Sequence, residues 1–265
     1  YRIVIPRAYI TQWANFVPWQ TNEQVEQDLV ITRAIVEIFS DDFLRERLAF
    51  RGGTALHKLY LNPQPRYSED IDLVQIKPEP IKETLARLQS RLEFVGPASV
   101  AQKKDNNTLR FRFESEIPPV QPLKLKVEIN CREHFNVMGL QEFPFATESD
   151  WFSGSTDIVT YGIEELLGTK LRALYQRRKG RDLYDLYKAY QEQRPDSQQI
   201  IEVYRKYIAF SVDNPPTRKQ FLRNLETKMQ DDEFLGDTRA LLRPTEHYDA
   251  HKAFNFIKDE LIEKL

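Results

Sequence analysis

An α+β fold in two parts is predicted, residues 1–150 forming a sheet-containing lobe and residues 151–265 a helical lobe. Three observations predict it. Apolar residues alternate with polar ones near residues 70–76, 109–114 and 123–130, the period of half-buried strands. Helical spacing recurs between these runs and continues alone toward the C-terminus. Turn-forming residues gather between about 138 and 160, with Gly139, Pro144 and Ser153-Gly154-Ser155, and the domain seam is placed in that irregular stretch. At 265 residues the chain has room for one large domain or two ordinary ones.

Taken in order, Trp13, Phe16, Val17, Pro18 and Trp19 make an aromatic segment expected to dock on the body of the protein. Glu23–Phe39 follows as an amphipathic helix, with Val25, Leu29, Thr32, Val36 and Phe39 on one stripe and Thr21 or Asn22 as cap. Leu48-Ala49-Phe50 reads as a short strand that runs into Gly52-Gly53 and a helix from Thr54 to Tyr60. Ile71, Leu73, Val74 and Ile76 mark a second strand, and Pro80 opens a helix that turns Ile81, Leu85, Leu88 and Leu92 inward. Leu109, Phe111 and Phe113 alternate with Arg110, Arg112 and Glu114 as another strand. A proline-rich turn at residues 118–122 leads to Leu123, Leu125, Val127 and Ile129, which alternate with Lys124, Lys126, Glu128 and Asn130.

The helical lobe starts with Glu164–Arg178, stopped by Gly180. A second helix from Arg181 to about Tyr190 carries Leu183, Leu186, Tyr187 and Tyr190 as its core stripe, with Asp182 and Asp185 on another face. Further helices are expected at Ser197–Ala209, Thr217–Met229 and Ala250–Leu261.

Composition narrows the function classes. A net charge of −2 gives no global nucleic-acid signature, so any RNA contact rests on a local patch. The single cysteine, Cys131, forms no intramolecular disulfide and is expected to be a buried small residue in a reducing, cytoplasmic setting. No run of eighteen apolar residues suggests a membrane span. His247 and His251 lack companion ligands for zinc, and Gly162–Lys170 ends in Gly-Thr-Lys, not the Gly-Lys-Ser/Thr of a P-loop.

The chemistry-bearing residues fall in two clusters. In the first, Asp70 and Asp72 are two apart in a strand, so both acids point to one face. Two like charges about 4 Å apart repel by roughly 1 kcal/mol in water and about 4 kcal/mol at an effective dielectric near 20, so a partly buried pair calls for a cation or a proton. Mg²⁺, or Mn²⁺, suits such a pair, because Mg²⁺ takes few protein carboxylates and completes its shell with water and phosphate oxygens. Upstream, Gly52 and Gly53 at a strand-to-helix junction let the backbone approach an anion, and Thr54 either caps the helix or touches a phosphate. In the second cluster, Lys170, Arg172, Arg177, Arg178, Lys179 and Arg181 place six cations within twelve positions. That helical pair reads either as a hairpin with a solvated charged face or as a counter-charge for triphosphate.

Gly52-Gly53-Thr54-Ala55-Leu56 with Arg66-Tyr67-Ser68-Glu69-Asp70-Ile71-Asp72-Leu73 resembles the first motif of the AbiEii/AbiGii-type nucleotidyltransferase toxins, a branch of the polymerase-β-like nucleotidyltransferase superfamily. Leu167-Gly168-Thr169-Lys170-Leu171-Arg172-Ala173-Leu174, Arg177 and Arg181-Asp182-Leu183-Tyr184-Asp185-Leu186 resemble that family's second signature. The resemblance implies an N-terminal mixed-sheet nucleotidyltransferase lobe and a helical lobe, with the active site between them. It also implies an enzyme that moves NMP from an NTP to a hydroxyl such as the 3′ end of tRNA, as toxin of a toxin–antitoxin or phage-defence pair with a cognate antitoxin.

On that footing Asp70 and Asp72 hold the metal, and Gly52, Gly53 and Thr54 cradle the terminal phosphates. Lys170 and Arg181 neutralise triphosphate, with Arg177 and Asp182 in the same nucleotide-binding set, and Asp185 orients Lys170 or meets the acceptor. Ser68 hydrogen-bonds a phosphate, while Lys58 and Arg66 steer substrate. A third carboxylate is usual in the superfamily; Glu128 either supplies it, as metal ligand or base, or pairs with Lys124 or Lys126. Two other readings stay open: transfer to a small molecule or protein, and a non-catalytic interaction protein that keeps the fold.

Overall fold

The computed structural model describes residues 3–265. Among these, the first unit comprises the residues up to Asn136 together with Leu140–Tyr161. The aromatic segment begins as a helix, α1 (Arg7–Trp13), whose Trp13 and Trp19 both donate their indole N–H to the buried carboxylate of Asp28, at 3.0 and 3.1 Å. Asp28 lies on α2 (Asn22–Phe39), started by a capping box in which Thr21 and Gln24 satisfy each other's backbone N–H. A short α3 (Asp42–Arg45), capped by Asp41, turns the chain into β1 (Leu48–Arg51). The segment from Gly52 to Tyr60 is one α-helical turn, α4 (Gly52–Ala55), that widens into a π-helical turn over Leu56–Tyr60.

The remaining strands are β2 (Asp70–Gln75), then, after α5 (Lys82–Arg91), β3 (Ala98–Lys103), β4 (Asn106–Glu114), β5 (Pro122–Asn130), β6 (Leu140–Glu148) and β7 (Ser153–Tyr161). They form one mixed seven-stranded sheet in the order β3-β4-β5-β2-β1-β7-β6. β2 pairs parallel with β5 and antiparallel with β1, and β1 pairs parallel with β7. Ile71, Leu73, Leu109, Phe111, Leu125 and Val127 turn into the core, which α2 covers.

Three sequence expectations are corrected. Residues 140–161, expected to be irregular, form the antiparallel hairpin β6–β7. Pro144 disguised it, but β6 is an edge strand, where a missing N–H is tolerated. Gly154 looked like a loop residue, yet it lies in β7 where an added Cβ would press on Phe152 and on Val36 of α2, each at 3.0 Å. Gly180 does not stop the first helix of the second unit, which ends at Gln176; it begins the next one.

The second unit holds Gly162–Leu265 with Val137–Gly139. It is all helical: α6 (Ile163–Gln176), α7 (Gly180–Gln193), α8 (Ser197–Ser211), α9 (Arg218–Lys228), α10 (Asp232–Gly236) and α11 (Ala250–Glu260). Val137–Gly139 belongs here because the fully buried carboxylate of Glu165 accepts the backbone N–H groups of Val137 and Met138, both at 2.9 Å, and the Tyr207 hydroxyl at 2.7 Å. Gly168 lets α6 lie against α8, since a Cβ there would drive into the side chain of Val203.

Candidate active site

The pleat of β2 builds the first cluster. Ile71 and Leu73 are buried at 0% and 1% exposure, so Asp70 and Asp72 stand on the opposite, open face. Across the parallel pairing Lys126 is the partner of Asp70 and Glu128 that of Asp72, which brings all four side chains to one patch. Lys126 Nζ lies 3.2 Å from Glu128 Oε2 and 3.6 Å from Asp70 Oδ2. Burial pulls the Lys126 pKa down, yet the attraction of Asp70, Glu128 and Asp72 outweighs it and holds the ammonium above its ordinary value. Glu128 is thus within ion-pair distance of Lys126 while standing in register with Asp72.

The glycine turn touches the same carboxylates. Gly52 adopts φ +87°, and a Cβ there would collide with the Asp72 carboxylate. The motif thus needs glycine on two counts, handedness and space. Thr54, 1% exposed, bonds the Ser68 hydroxyl at 2.7 Å and donates to the Asp70 carbonyl oxygen. Thr54 and Ser68 are both buried, and together they tie the helix to the start of β2.

Lys58 and Arg66, expected to steer substrate, are both held by partners within the protein. Lys58 Nζ sits 3.2 Å from both oxygens of buried Asp28 and 3.3 Å from the Gln64 side-chain oxygen. Arg66 is 2% exposed and donates to the Tyr67 carbonyl at 2.8 Å. Their charges are held inside the protein, where they organise the segment that leads into β2.

In the second unit the polar face is interior, not solvated. Asp182 and Asp185 are fully buried, and Lys170 Nζ bridges them at 3.2 and 3.1 Å. Arg177 grips Asp182 with two bonds of 2.7 Å. Arg181 makes an equivalent fork on Asp237, both bonds 2.9 Å, and Asp237 is held below the usual carboxylate range because these bonds outweigh the cost of its burial. Arg178 faces Asp231 at 3.5 Å. Most of the cation cluster is thereby matched by acids of its own unit. Lys228, on α9, donates to the carbonyls of Leu174 and Tyr175 at the end of α6, and burial lowers its pKa to about 8.

Among the described residues, no group of three or more His, Cys, Asp or Glu is arranged to hold a metal ion. The donor chemistry of Asp70 and Asp72 still fits a hard divalent cation, which needs only one or two protein carboxylates when phosphate oxygens complete its shell. Cys131 is half-buried; burial raises its thiol pKa, and Asn107 donates to its sulfur at 3.2 Å. Sequence reasoning missed Asp28, the anchor of both tryptophans and Lys58, and underrated Lys126. The alternation of β5 placed Lys126 on the face of Glu128, but its neighbour Asp70 lies more than fifty positions away.

A glycine turn packed on an Asp-x-Asp strand, in a mixed sheet with a separate helical unit, defines a nucleotidyltransferase-like protein. Residues 33–260 match the family described as nucleotidyl transferase AbiEii toxin, type IV toxin–antitoxin system, and the chain belongs to that family. It is accordingly a nucleotidyltransferase of the toxin–antitoxin kind, with an NTP as substrate and an antitoxin as partner. The fold is similar to that of MenT4, a nucleotidyltransferase toxin from Mycobacterium tuberculosis, with a TM-score of 0.66 at 16% identity over 99% of this chain and 91% of that one. It is also similar to JHP933 from Helicobacter pylori, with a TM-score of 0.51 at 18% identity over 91% and 90% of the two chains. No curated protein sequence matches this chain.

Proposed function

We propose that this toxin transfers NMP from an NTP to an RNA hydroxyl, at the 3′ end of tRNA, with a Mg²⁺ or Mn²⁺ ion held by Asp70 and Asp72. The observation that carries this reading is the packing of the Gly52 turn on the Asp72 carboxylate, beside Asp70 on one open sheet face. When bound, the metal supplies positive charge for the triphosphate and for the pyrophosphate that leaves.

The chain's own residues do the rest. Gly52 and Gly53 bring backbone N–H groups to the terminal phosphates, and Thr54 with Ser68 fixes the start of β2 so that Asp70 keeps its orientation. Glu128, in register with Asp72, takes the proton of the acceptor hydroxyl as its oxygen attacks the α-phosphorus and the bond to pyrophosphate breaks. In the second unit Asp182 and Asp185 set the position of Lys170, and Arg177 holds Asp182. Arg181 is held in the same unit by its fork on Asp237.

Calorimetry with each NTP tests the nucleotide half of this reading. Binding is expected only with Mg²⁺ or Mn²⁺ present and is lost in Asp70→Asn. Equal, metal-independent binding by both proteins would remove Asp70 from the site.

A further inference from the structure

The open face of the sheet does not end at the carboxylates. β4 pairs antiparallel with β5, and its register sets Arg110 directly opposite Lys126 and Arg112 directly opposite Lys124. Residues in such pairs share a face, with Cβ atoms about 5 Å apart, and like charges placed there destabilise a sheet. This chain puts two such cationic pairs side by side. Lys126 is compensated by Asp70 and Glu128. Arg110, Arg112 and Lys124 are exposed and enter no ion pair among the described residues. Glu114, the nearest acid along β4, is exposed and pairs with none of them.

The neighbouring edge strand leaves this surface open. Ser99 of β3 stands opposite Arg110 and Ala101 opposite Thr108, both small and exposed. The result is a shallow basic strip that starts at Lys126, in contact with Asp70, and runs across β5 and β4. In a protein of net charge −2 such a concentration is a local feature.

We infer that Arg110, Arg112 and Lys124 form the binding track for the phosphate backbone of the acceptor RNA, with Lys126 as its junction to Asp70. The inference rests on the RNA reading given above. A polyanion relieves the opposed charges that the folded sheet otherwise tolerates at a cost. The contacts are to phosphates, so they add affinity and orientation without base specificity.

The test is the triple variant Arg110→Ser, Arg112→Ser, Lys124→Ser. Its melting temperature is expected to equal or exceed that of the wild type, because opposed like charges are removed, and its NTP affinity is expected to be unchanged. Its affinity for labelled tRNA falls at least tenfold at low salt, KM for RNA rises with kcat held, and the slope of log affinity against log salt falls by roughly 2. If the wild type labels RNA while the triple variant keeps the same RNA affinity and salt slope, the track is wrong and the RNA reading stands. Should the wild type label only protein or a small molecule, the RNA reading fails and takes the track with it. Loss of antitoxin binding with RNA affinity intact would reassign the strip to an acidic protein.

Discussion

Gly52 packs the glycine turn on the Asp-x-Asp strand, and its substitution is the sharpest single-residue test of the first cluster. Gly52→Ala puts a side chain at φ +87° and into the Asp72 carboxylate. The left-handed backbone alone costs roughly 1–2 kcal/mol, and displacement of Asp72 should abolish metal-dependent NTP binding; thermal melts and calorimetry read the two effects. Lys58 supplies the contrast. Its ammonium is paired with fully buried Asp28, so Lys58→Met leaves a buried carboxylate uncompensated and should lower stability by about 3–5 kcal/mol. In the fraction that stays folded, KM for NTP should be unchanged; a raised KM with an unaltered melting temperature would restore Lys58 to substrate steering. From sequence, Gly52 was expected to cradle phosphate and Lys58 to steer substrate. What separates them is the pairing of Lys58 with buried Asp28, thirty positions away, which Trp13 and Trp19 also hold and which no local pattern connects to Lys58.

At the scale of elements, the buried hairpin of α6 and α7 makes two predictions. Asp182→Ala removes the shared acid of Lys170 and Arg177 and should cost about 3–5 kcal/mol, whereas Arg177→Ala, with half its side chain in solvent, should cost well under that. Equal losses would contradict the interior network. Lys228 adds a pH signature. Its folded pKa is depressed to about 8, below the unfolded value near 10.4, so the unfolded chain binds more protons between the two. Its contribution to stability is therefore greatest above the unfolded value and is lost as pH falls through about 8. The difference in melting temperature between wild type and Lys228→Met should move in favour of wild type as pH rises from 8 to 10.

Much of this architecture was legible in sequence. The α2 stripe, the alternation of β4 and β5, and helices α6, α7, α8, α9 and α11 follow residue periodicity; the five-residue α10 is too short to show one. The β6–β7 hairpin did not, because Pro144 and Gly154 imitate loop signals and only the edge position and the nearness of α2 explain them. Nor was the burial of Asp182 and Asp185 legible, since an i, i+3 acidic pair reads as a wet face until its cations are located. The shared face of Asp70 and Asp72 was legible because strand geometry alone dictates it.

For the whole molecule, family membership makes it a nucleotidyltransferase toxin, and among the described residues no helix is long and apolar enough to cross a membrane. The acceptor and the metal are the proposed parts of its activity. The most direct measurement incubates the purified protein with total cellular RNA, Mg²⁺ and each α-labelled NTP in turn, beside Asp70→Ala. Transfer at Asp70 and Asp72 predicts label on a tRNA-sized band that vanishes in the variant. Label on protein or small molecules alone, or the same tRNA labelling by Asp70→Ala, would contradict it.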